Sequence, residues 1–434
     1  MQLVCVFVAC STDPNHVPEF QPPCLTCQQS FPGYRKPPRL RAQSAAMTAS
    51  LLLRASMALL VATLVACSSG PKAPPASNDG PETGFPVGEV HDTAPLGPAS
   101  YRPKSRWLPV RWAELPGLEK DSLHEAWNAW LRSCERPHAA FAALCDDVRR
   151  LSIASQEEQL HWLQSHLQPY RIESLDGKSQ GMLTSYYEPE MTGSRVRTEE
   201  FNIPLYAPPA TLGQRKPWYT RQQIDTLPEA QAALAGRAIA WLNDPIEALV
   251  LHIQGSGRMR VTEPDGSVRL IRLAYAGTND QPYKSVGRWL LDRQLITDAS
   301  WPGISAWIAV NPDRTQEMLW SNPRYVFFRE EPLDGLDAQF GPKGAQGVPL
   351  TPGRSIAVDR GSIPYGTPVW MYSKGPEVEY QRLVLAQDTG SAIVGAVRAD
   401  YFMGWGKQAG DLAGRIKQPL RLWALWPKGM AVPK

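Results

Sequence analysis

The sequence predicts a mainly β protein with a helical segment near the start of its folded part. Residues 121–167 contain three amphipathic patterns, whereas later residues consist largely of short apolar runs separated by turn-forming residues. After residue 332 the chain returns to short strands with one small helix, which favours a compact barrel. A chain of 434 residues is long enough for two domains.

The helical segment contains three predicted helices. In the first, at residues 121–134, apolar side chains recur at helical spacing. Pro137 suits the first turn of the second helix, and residues 157–167 place leucines on one side of the third. Two strands are then predicted, at residues 170–174 and 181–187.

The middle of the chain, residues 189–331, is predicted to be rich in strands. Its most apolar run, residues 246–254, is interpreted as a strand that enters the sequence Gln-Gly-Ser-Gly at residues 254–257. The other predicted elements are a hairpin turn at 263–267, its returning strand at 268–275, and short helices at 285–292 and 312–319.

The C-terminal part carries three aspartates close to predicted strand ends. Asp388 and Asp400 stand on predicted loops beside glycines and aromatic residues, which suits a carbohydrate-cleaving site. Asp359 ends a strand-like run. Each has a structural alternative: a helix N-cap for Asp400, an Asx-turn for Asp388 and a backbone turn for Asp359. The predicted strands are 355–359, 367–372, 380–386 and 420–426, with a helix around 407–415.

The N-terminal region has the features of a bacterial lipoprotein leader. Residues 47–66 combine one arginine, an apolar run and small residues ahead of Cys67, as in a lipobox. We expect Cys67 to be the acylated first residue of the mature protein, and residues 67–103 to form a flexible tether. An uncleaved transmembrane helix is the alternative, although the apolar core is short for a bilayer. Residues 1–46 lack signal features, so Met47 is the expected start and 1–46 an over-extended N-terminus.

The remaining cysteines and the net charge bear on redox state and cofactors. Cys134 and Cys145 form an even pair in an oxidising compartment, as either a disulfide or two buried thiols. Cys24 and Cys27 lack a second ligand pair at zinc-binding spacing, so we expect no metal and no other cofactor. A formal charge of +3 without a dense basic stripe gives no indication of nucleic-acid binding.

Two motifs offer candidate ligand-binding residues. In LTSYYEP, residues 183–189, Tyr186 and Tyr187 are adjacent on a predicted strand, so one can pack while the other meets ligand. Gln254 and Ser256 can hydrogen-bond a ligand from a tight loop that is neither a Walker loop nor a dinucleotide fingerprint. An aromatic strand and an ordinary hairpin remain the alternatives.

Taken in order, these motifs resemble the membrane-bound lytic murein transglycosylase A family. They are LTSYYEP, QGSG at 254–257, AYAG at 274–277, SVGRWL at 285–290, NPRYVFF at 322–328, Asp359 and the segment 387–406. The resemblance implies a double-psi β-barrel made of residues 104–188 and 332–434. It also implies a smaller β domain, residues 189–331, inserted between these segments, with the glycan in the groove between the two domains.

The resemblance further implies an activity. Family members cleave the β-1,4 bond between N-acetylmuramic acid and N-acetylglucosamine without water, which leaves 1,6-anhydromuramic acid ends. Asp400 is expected to act as general acid and then base, Asp388 to give electrostatic or structural support, and Asp359 to be structural. The expected substrate-binding residues are Thr184, Tyr186, Tyr187, Gln254, Ser256 and Tyr275. A hydrolase on the same barrel and a non-catalytic wall-binding lipoprotein are the alternatives.

The expected partners follow from the leader and the resemblance. They are the glycan strands of peptidoglycan, the inner leaflet of the outer membrane through lipid on Cys67, and other cell-wall enzymes. Because Ser68 rather than an aspartate follows Cys67, we expect sorting to the outer membrane of a Gram-negative bacterium, facing the periplasm.

Overall fold

The computed structural model of the protein describes residues 92–335, 337–376 and 378–434. The expected leader, the expected acylation site at Cys67 and most of the expected tether lie outside these residues. The described residues belong to one unit, Pro81–Lys434. None of its described helices combines the length and apolarity needed to cross a membrane.

The described chain contains strands, α-helices and short 3-10 turns. The strands are β1 Ser100–Tyr101, β2 Arg106–Pro109, β3 Leu167–Glu173, β4 Gly181–Glu188, β5 Glu190–Ser194, β6 Ile203–Tyr206, β7 Ala238–Leu242, β8 Gly257–Thr262, β9 Val268–Thr278, β10 Val326–Pro332, β11 Ser355–Val358, β12 Pro368–Lys374, β13 Glu379–Asp388, β14 Arg398–Trp405 and β15 Lys417–Pro427. The α-helices are α1 Leu123–Ser133, α2 Cys145–Arg150, α3 Gln156–His166, α4 Arg221–Thr226, α5 Pro228–Leu234, α6 Pro245–Gln254, α7 Val286–Asp292, α8 Trp301–Val310, α9 Thr315–Trp320 and α10 Gly406–Ala413. Short 3-10 turns occupy Trp112–Glu114, Leu118–Lys120, Ala139–Leu144, Leu151–Ile153, Pro312–Arg314 and Asp337–Gln339.

The larger sheet closes on itself. Its strand order is β1-β2-β3-β15-β12-β13-β11-β14-β4, and β15 also pairs with β4. The strands from β15 to β4 therefore form a closed circuit, from which β3, β2 and β1 extend. Two pairs in this circuit are parallel, β11 with β13 and β14 with β4. Fully buried side chains such as Val358, Leu383, Leu385 and Ala399 fill the apolar core of this barrel-like sheet.

The second sheet comes from the middle of the chain. Its order is β10-β9-β8-β5-β7-β6, and only the β5–β8 pair is parallel. Leu205, Met259 and Phe328 lie in its core, and a separate apolar cluster holds helices α6 to α9 together. The predicted hairpin at 263–267 is confirmed. The strand-rich prediction holds only in part, because helices α4 to α9 occupy much of this region.

One predicted strand is wrong, because residues 246–254 belong to helix α6. The side chain of Asp244 accepts a hydrogen bond from the backbone N–H of Ile246, and Pro245 occupies the first turn. Gly255 ends the helix with a left-handed φ of 84°. A helix buried on most sides has a nearly continuous apolar sequence, so these end signals decide between helix and strand.

The three predicted N-terminal helices are confirmed as α1, α3 and a 3-10 turn that continues into α2. Trp127 and Trp130 of α1 meet Trp162 of α3, with ring centroids 6.1 and 5.6 Å apart. Cys134, at the end of α1, is joined to Cys145, at the start of α2, by a disulfide bond. The helices thereby form one packed cluster against the barrel-like sheet.

A buried ion cluster connects the two sheets. Glu188, the last residue of β4, accepts hydrogen bonds from Arg258 on β8 at 2.9 Å and from Arg272 on β9 at 2.7 Å. Both arginines also donate to the backbone carbonyl of Phe340. The Arg258 guanidinium lies 3.7 Å from the ring centroid of Trp405 on β14. All three charged side chains are buried, so the Glu188 carboxylate, the Phe340 carbonyl and the Trp405 ring together stabilise the two guanidinium charges.

Candidate active site

A cavity of about 660 Å³ is lined by residues of both sheets. The barrel-like sheet contributes residues of β4, β11, β13 and β14, and the other wall comes from α6, β9 and β10. A concave space with a few convergent polar groups is the usual form of a ligand site. Its lining includes Tyr186, Gln254, Ser256, Tyr275, Asp388, Thr389, Ser391 and Asp400.

Asp388 ends strand β13 and is held by several donors. Its Oδ1 accepts the backbone N–H of Ala345 at 3.0 Å, and its Oδ2 accepts the hydroxyl of Tyr186 at 2.8 Å. Burial raises the pKa of Asp388 to about 6, although the hydrogen bonds from Thr389, Tyr186 and Ala345 act in the opposite direction. The negative charge of Asp400 adds to the rise, so the two carboxyl groups influence each other.

Asp400 lies opposite Thr184 in the parallel β14–β4 pair. The Thr184 hydroxyl donates a hydrogen bond to Oδ1 of Asp400, and Arg398 donates to the same hydroxyl oxygen at 2.7 Å. Burial raises the pKa of Asp400, against the lowering effects of the Thr184 hydrogen bond and the Arg398 charge. Oδ2 of Asp400 accepts no hydrogen bond from the described residues, which leaves it open to a ligand.

The predicted loop at Asp400 is wrong, because the residue lies inside strand β14. The helix that follows begins at Gly406, so the N-cap alternative is also excluded. Strand β14 is paired on both sides, with β11 and β4. This double pairing stabilises an extended conformation despite Gly404 within the strand, which with Gly406 just after it suggested a loop.

The wall opposite the aspartates is built by the end of α6 and by β9. Gln254 is the last residue of α6, and its side-chain oxygen accepts the backbone N–H of Tyr187 at 3.1 Å. This bond joins the second wall to strand β4. Ser256 is buried in the cavity wall, whereas the Tyr275 ring is 49% exposed and can contact a ligand.

Three of the predicted residues stand outside the cavity lining. Thr184 reaches the site through its hydrogen bond to Asp400, and Tyr187 packs close to Gly410 of α10. Asp359 accepts the backbone N–H groups of Gly361 at 2.8 Å and Gly395 at 2.9 Å, so it orders the backbone. In the described chain, no three His, Cys, Asp or Glu side chains cluster as metal ligands would.

Comparisons with known proteins agree on one family. Two family models match: "MltA specific insert domain" at residues 182–329 and "3D domain" at residues 354–426. Membrane-bound lytic murein transglycosylase A of Escherichia coli K12 is 32% identical over 268 residues, which cover 59% of this chain and 68% of that protein.

Solved structures give the same result. The lytic transglycosylase LtgG of Burkholderia pseudomallei is 42% identical with a TM-score of 0.53, covering 77% of this chain and all of that one. MltA of Neisseria gonorrhoeae is 29% identical with a TM-score of 0.64, covering 80% and 98%. The chain belongs to the membrane-bound lytic murein transglycosylase A family. Its fold is the mostly β fold of that family, with a nearly closed barrel sheet and additional helices.

The cavity of this transglycosylase A family member also contains cations that the sequence did not indicate. Arg136, Arg324, Arg329 and Lys343 all contribute to its lining. They come from three separate parts of the chain, with Arg324 and Arg329 in one segment, so no basic stripe is visible in the sequence. Arg329 pairs with Glu331 at 2.6 Å, whereas the other three form no ion pair with a described residue.

The site combines the elements required for acid–base chemistry on an anionic glycan. Two carboxyl groups with raised pKa values share one cavity, and one of them retains an oxygen without a hydrogen-bond partner in the described chain. A carboxyl group with a raised pKa keeps its proton to a higher pH than an ordinary aspartate and can donate that proton to a leaving oxygen. The surrounding cations and the exposed Tyr275 ring offer contacts for charged and sugar groups.

Proposed function

We propose that the protein is a peptidoglycan lytic transglycosylase that cleaves the β-1,4 bond between N-acetylmuramic acid and N-acetylglucosamine and leaves 1,6-anhydromuramic acid ends. Such cleavage serves cell-wall remodelling and turnover. The observation that carries the proposal is the meeting of Asp388 and Asp400, both with raised pKa values, in one cavity of a member of this family. The proposed substrate-binding residues are Thr184, Tyr186, Tyr187, Gln254, Ser256 and Tyr275.

In the proposed reaction Asp400 acts first as acid and then as base. The 6-hydroxyl oxygen of muramic acid attacks C1 of the same sugar as the bond from C1 to the glycosidic oxygen breaks. Asp400 donates its proton to the departing oxygen, and its carboxylate then accepts the proton from the 6-hydroxyl. One proton moves in each direction and no water is consumed, so a single carboxyl group is sufficient.

Asp388 is suited to a supporting role. Both of its oxygens already accept hydrogen bonds, from Ala345 and Tyr186, so its position is fixed. Burial and the charge of Asp388 raise the pKa of Tyr186, which keeps the phenol protonated as a donor. A fixed carboxylate close to C1 would stabilise positive charge that develops there in the transition state.

We also propose the domain division that the resemblance implies. Residues 104–188 and 332–434 would form a double-psi β-barrel, with residues 189–331 inserted as the other wall of the glycan groove. The closed circuit of strands in the larger sheet and the separate second sheet support this division. The insert-domain match at residues 182–329 also supports it.

Mass spectrometry of purified sacculi digested by the protein tests the activity. We expect fragments whose muramic acid ends lack one water relative to a reducing end. Fragments with reducing ends would identify a hydrolase on the same barrel, and a protein that binds sacculi without releasing fragments would be a wall-binding module. Either result would refute the proposal.

For location, we propose an outer-membrane lipoprotein that faces the periplasm and works beside other cell-wall enzymes. The support is the lipobox before Cys67 and the membrane-bound relatives. Mass spectrometry of the mature N-terminal peptide should find lipid on Cys67, and a Cys67→Ala protein should be released as a soluble, active enzyme. A mature wild-type protein without lipid on Cys67 would contradict the proposal.

A further inference from the structure

A second cavity adjoins the candidate active site. It has a volume of about 420 Å³ and shares Arg136 and Ala345 with the lining of the main cavity. Its other lining residues include Arg102, His138, Arg360 and Tyr365. No Asp or Glu side chain is among the described residues that line it. The two cavities are therefore contiguous, and the second one is basic.

The arginines of this second cavity have no carboxylate partner in the described chain. Arg102 donates to the backbone carbonyls of Pro433 at 2.7 Å and Arg360 at 3.2 Å, while its buried Nε has no partner there. Arg360 is exposed and lies 5.9 Å from the Tyr365 ring centroid. The adjacent Asp359 directs both oxygens to the backbone N–H groups of Gly361 and Gly395 and forms no ion pair with these arginines.

His138 lines the cavity beside its cations, which include Lys434 as well as the arginines. Nδ1 of His138 accepts the backbone N–H of Ala140 at 3.2 Å. Burial, with a smaller effect from Arg102, lowers the pKa of His138, so the ring is largely uncharged at neutral pH. Arg102, Arg136, Arg360 and Lys434 thus supply the positive side-chain charges. Unpaired guanidinium groups in a concave surface attract carboxylates and bind them through paired hydrogen bonds.

We propose that the second cavity binds carboxylate groups of the peptide attached to a muramoyl residue whose sugar occupies the main cavity. This proposal rests on the proposed function. The peptide is the part of peptidoglycan that leaves the glycan sideways and carries free carboxylates at a distance from the sugar. Because the two cavities share Arg136, a muramoyl sugar in the main cavity could extend its attached peptide into the second cavity. The lactyl group remains close to the sugar and is assigned to the main cavity.

The test compares two substrates from the same sacculi: intact peptide-bearing glycan and strands from which an amidase has removed the peptides. The amidase converts the lactyl amide into a free carboxylate that stays on the sugar. Because this added charge is the same for every variant, a change in the comparison from one variant to another reports on the peptide. The measured quantity is kcat/KM for anhydro-product formation on peptide-bearing glycan divided by kcat/KM on the stripped strands. In the Arg360→Gln variant we expect this ratio to fall about tenfold, the usual effect of losing a hydrogen bond to a charged group.

Matched variants show whether charge is responsible. Arg360→Glu should lower the ratio further than Arg360→Gln, and Arg360→Lys should retain most of it. Arg421→Gln removes another exposed arginine, on β15 and outside both cavities, and should leave the ratio unchanged. Thermal melts should agree for all four variants, because Arg360 and Arg421 are exposed.

An unchanged ratio in Arg360→Gln and Arg360→Glu would overturn the proposal. This includes a result in which kcat/KM falls by the same factor on both substrates. A failure of the proposed function gives a different result. In that case the wild-type protein would form no anhydro ends from either substrate.

Discussion

At the scale of single residues, the two site aspartates differ in how their oxygens are occupied. Asp388 accepts hydrogen bonds on both oxygens, whereas Asp400 accepts one, from Thr184, and has an oxygen open to the cavity. Proton transfer needs an oxygen that can reach the substrate. The difference in hydrogen bonding therefore favours Asp400 as the proton carrier and Asp388 as a fixed charge.

Replacing Asp400 by Asn should abolish most of the turnover and leave the fold intact. Asn keeps the shape of the side chain and an acceptor for Thr184 but cannot transfer a proton. We expect the release of anhydro-muropeptides to fall roughly 10²–10⁴-fold, the usual contribution of general acid–base catalysis. Asp388→Asn should lose less activity, and Asp359→Asn should affect mainly the thermal melt. If Asp400→Asn is active and Asp388→Asn is not, the two roles must be exchanged.

The raised pKa of Asp388 predicts a pH-dependent cost in stability. A carboxyl group with a folded-state pKa of about 6, above its ordinary value, makes folding less favourable as pH rises from about 4 through 6. Its full effect would be about 3 kcal/mol, reduced by partial exposure to solvent. We expect Asp388→Asn to gain stability relative to wild type across this interval.

Urea unfolding at pH 4, 5, 6 and 7 measures this effect. At each pH, the free energy of unfolding of the wild type is subtracted from that of Asp388→Asn. The prediction concerns how this difference changes with pH. The exposed Asp411→Asn variant, measured in the same way, is the control for removing a carboxyl group from the surface. A wild-type to Asp388→Asn difference that is constant from pH 4 to pH 6 would contradict the prediction.

At the scale of elements, the sequence predicted best where the pattern was periodic or the turn was distinctive. The amphipathic α1 and the hairpin between β8 and β9 were both recognised. Helix α6 was missed because it is apolar on several faces, which removes the periodic signal that separates a helix from a buried strand. Its end signals, Asp244-Pro245 and Gly255, were present and indicate a helix when they are read first.

The left-handed Gly255 at the end of α6 gives a second test at this scale. Its φ of 84° is unfavourable for any residue with a Cβ atom, although no neighbouring atom lies within 4 Å of the Cβ position. Gly255→Ala should therefore destabilise the protein by about 1 kcal/mol or more through backbone strain alone. Gln254 and Ser256 flank this residue, so KM for peptidoglycan should also rise.

Gly213→Ala is the matched control for this substitution. Gly213 is also free of neighbouring atoms within 4 Å but has no positive φ, so alanine there should be neutral or slightly stabilising. Urea unfolding and KM would be measured for both variants. Equal stability of the two proteins would show that the turn after α6 adapts without cost, contrary to this prediction.

At the scale of the whole molecule, the site depends on sheet closure that no local pattern reveals. The sequence identified Asp388 and Asp400 as a pair, but Tyr186 reaches Asp388 because β4 pairs with β14 across more than two hundred residues. The cations of the two cavities were missed for the same reason. Each is an isolated residue in sequence, and only the tertiary fold brings them together.

The Glu188 ion cluster is the buried charged contact between the two walls of the site, and its loss gives the last prediction. In Glu188→Gln, Arg258 and Arg272 keep their positive charges without a carboxylate, in a place where water cannot replace it. Removing one partner of a buried ion pair costs about 3–5 kcal/mol, so we expect a loss of that size in urea unfolding. Because β4 carries Tyr186 and β9 carries Tyr275, kcat/KM should fall even at temperatures well below the melt. Asp411→Asn, which breaks the exposed pair with Lys407, should change neither quantity appreciably. A Glu188→Gln protein as stable as the Asp411→Asn control would show that the two walls are held together by their apolar contacts and backbone hydrogen bonds instead.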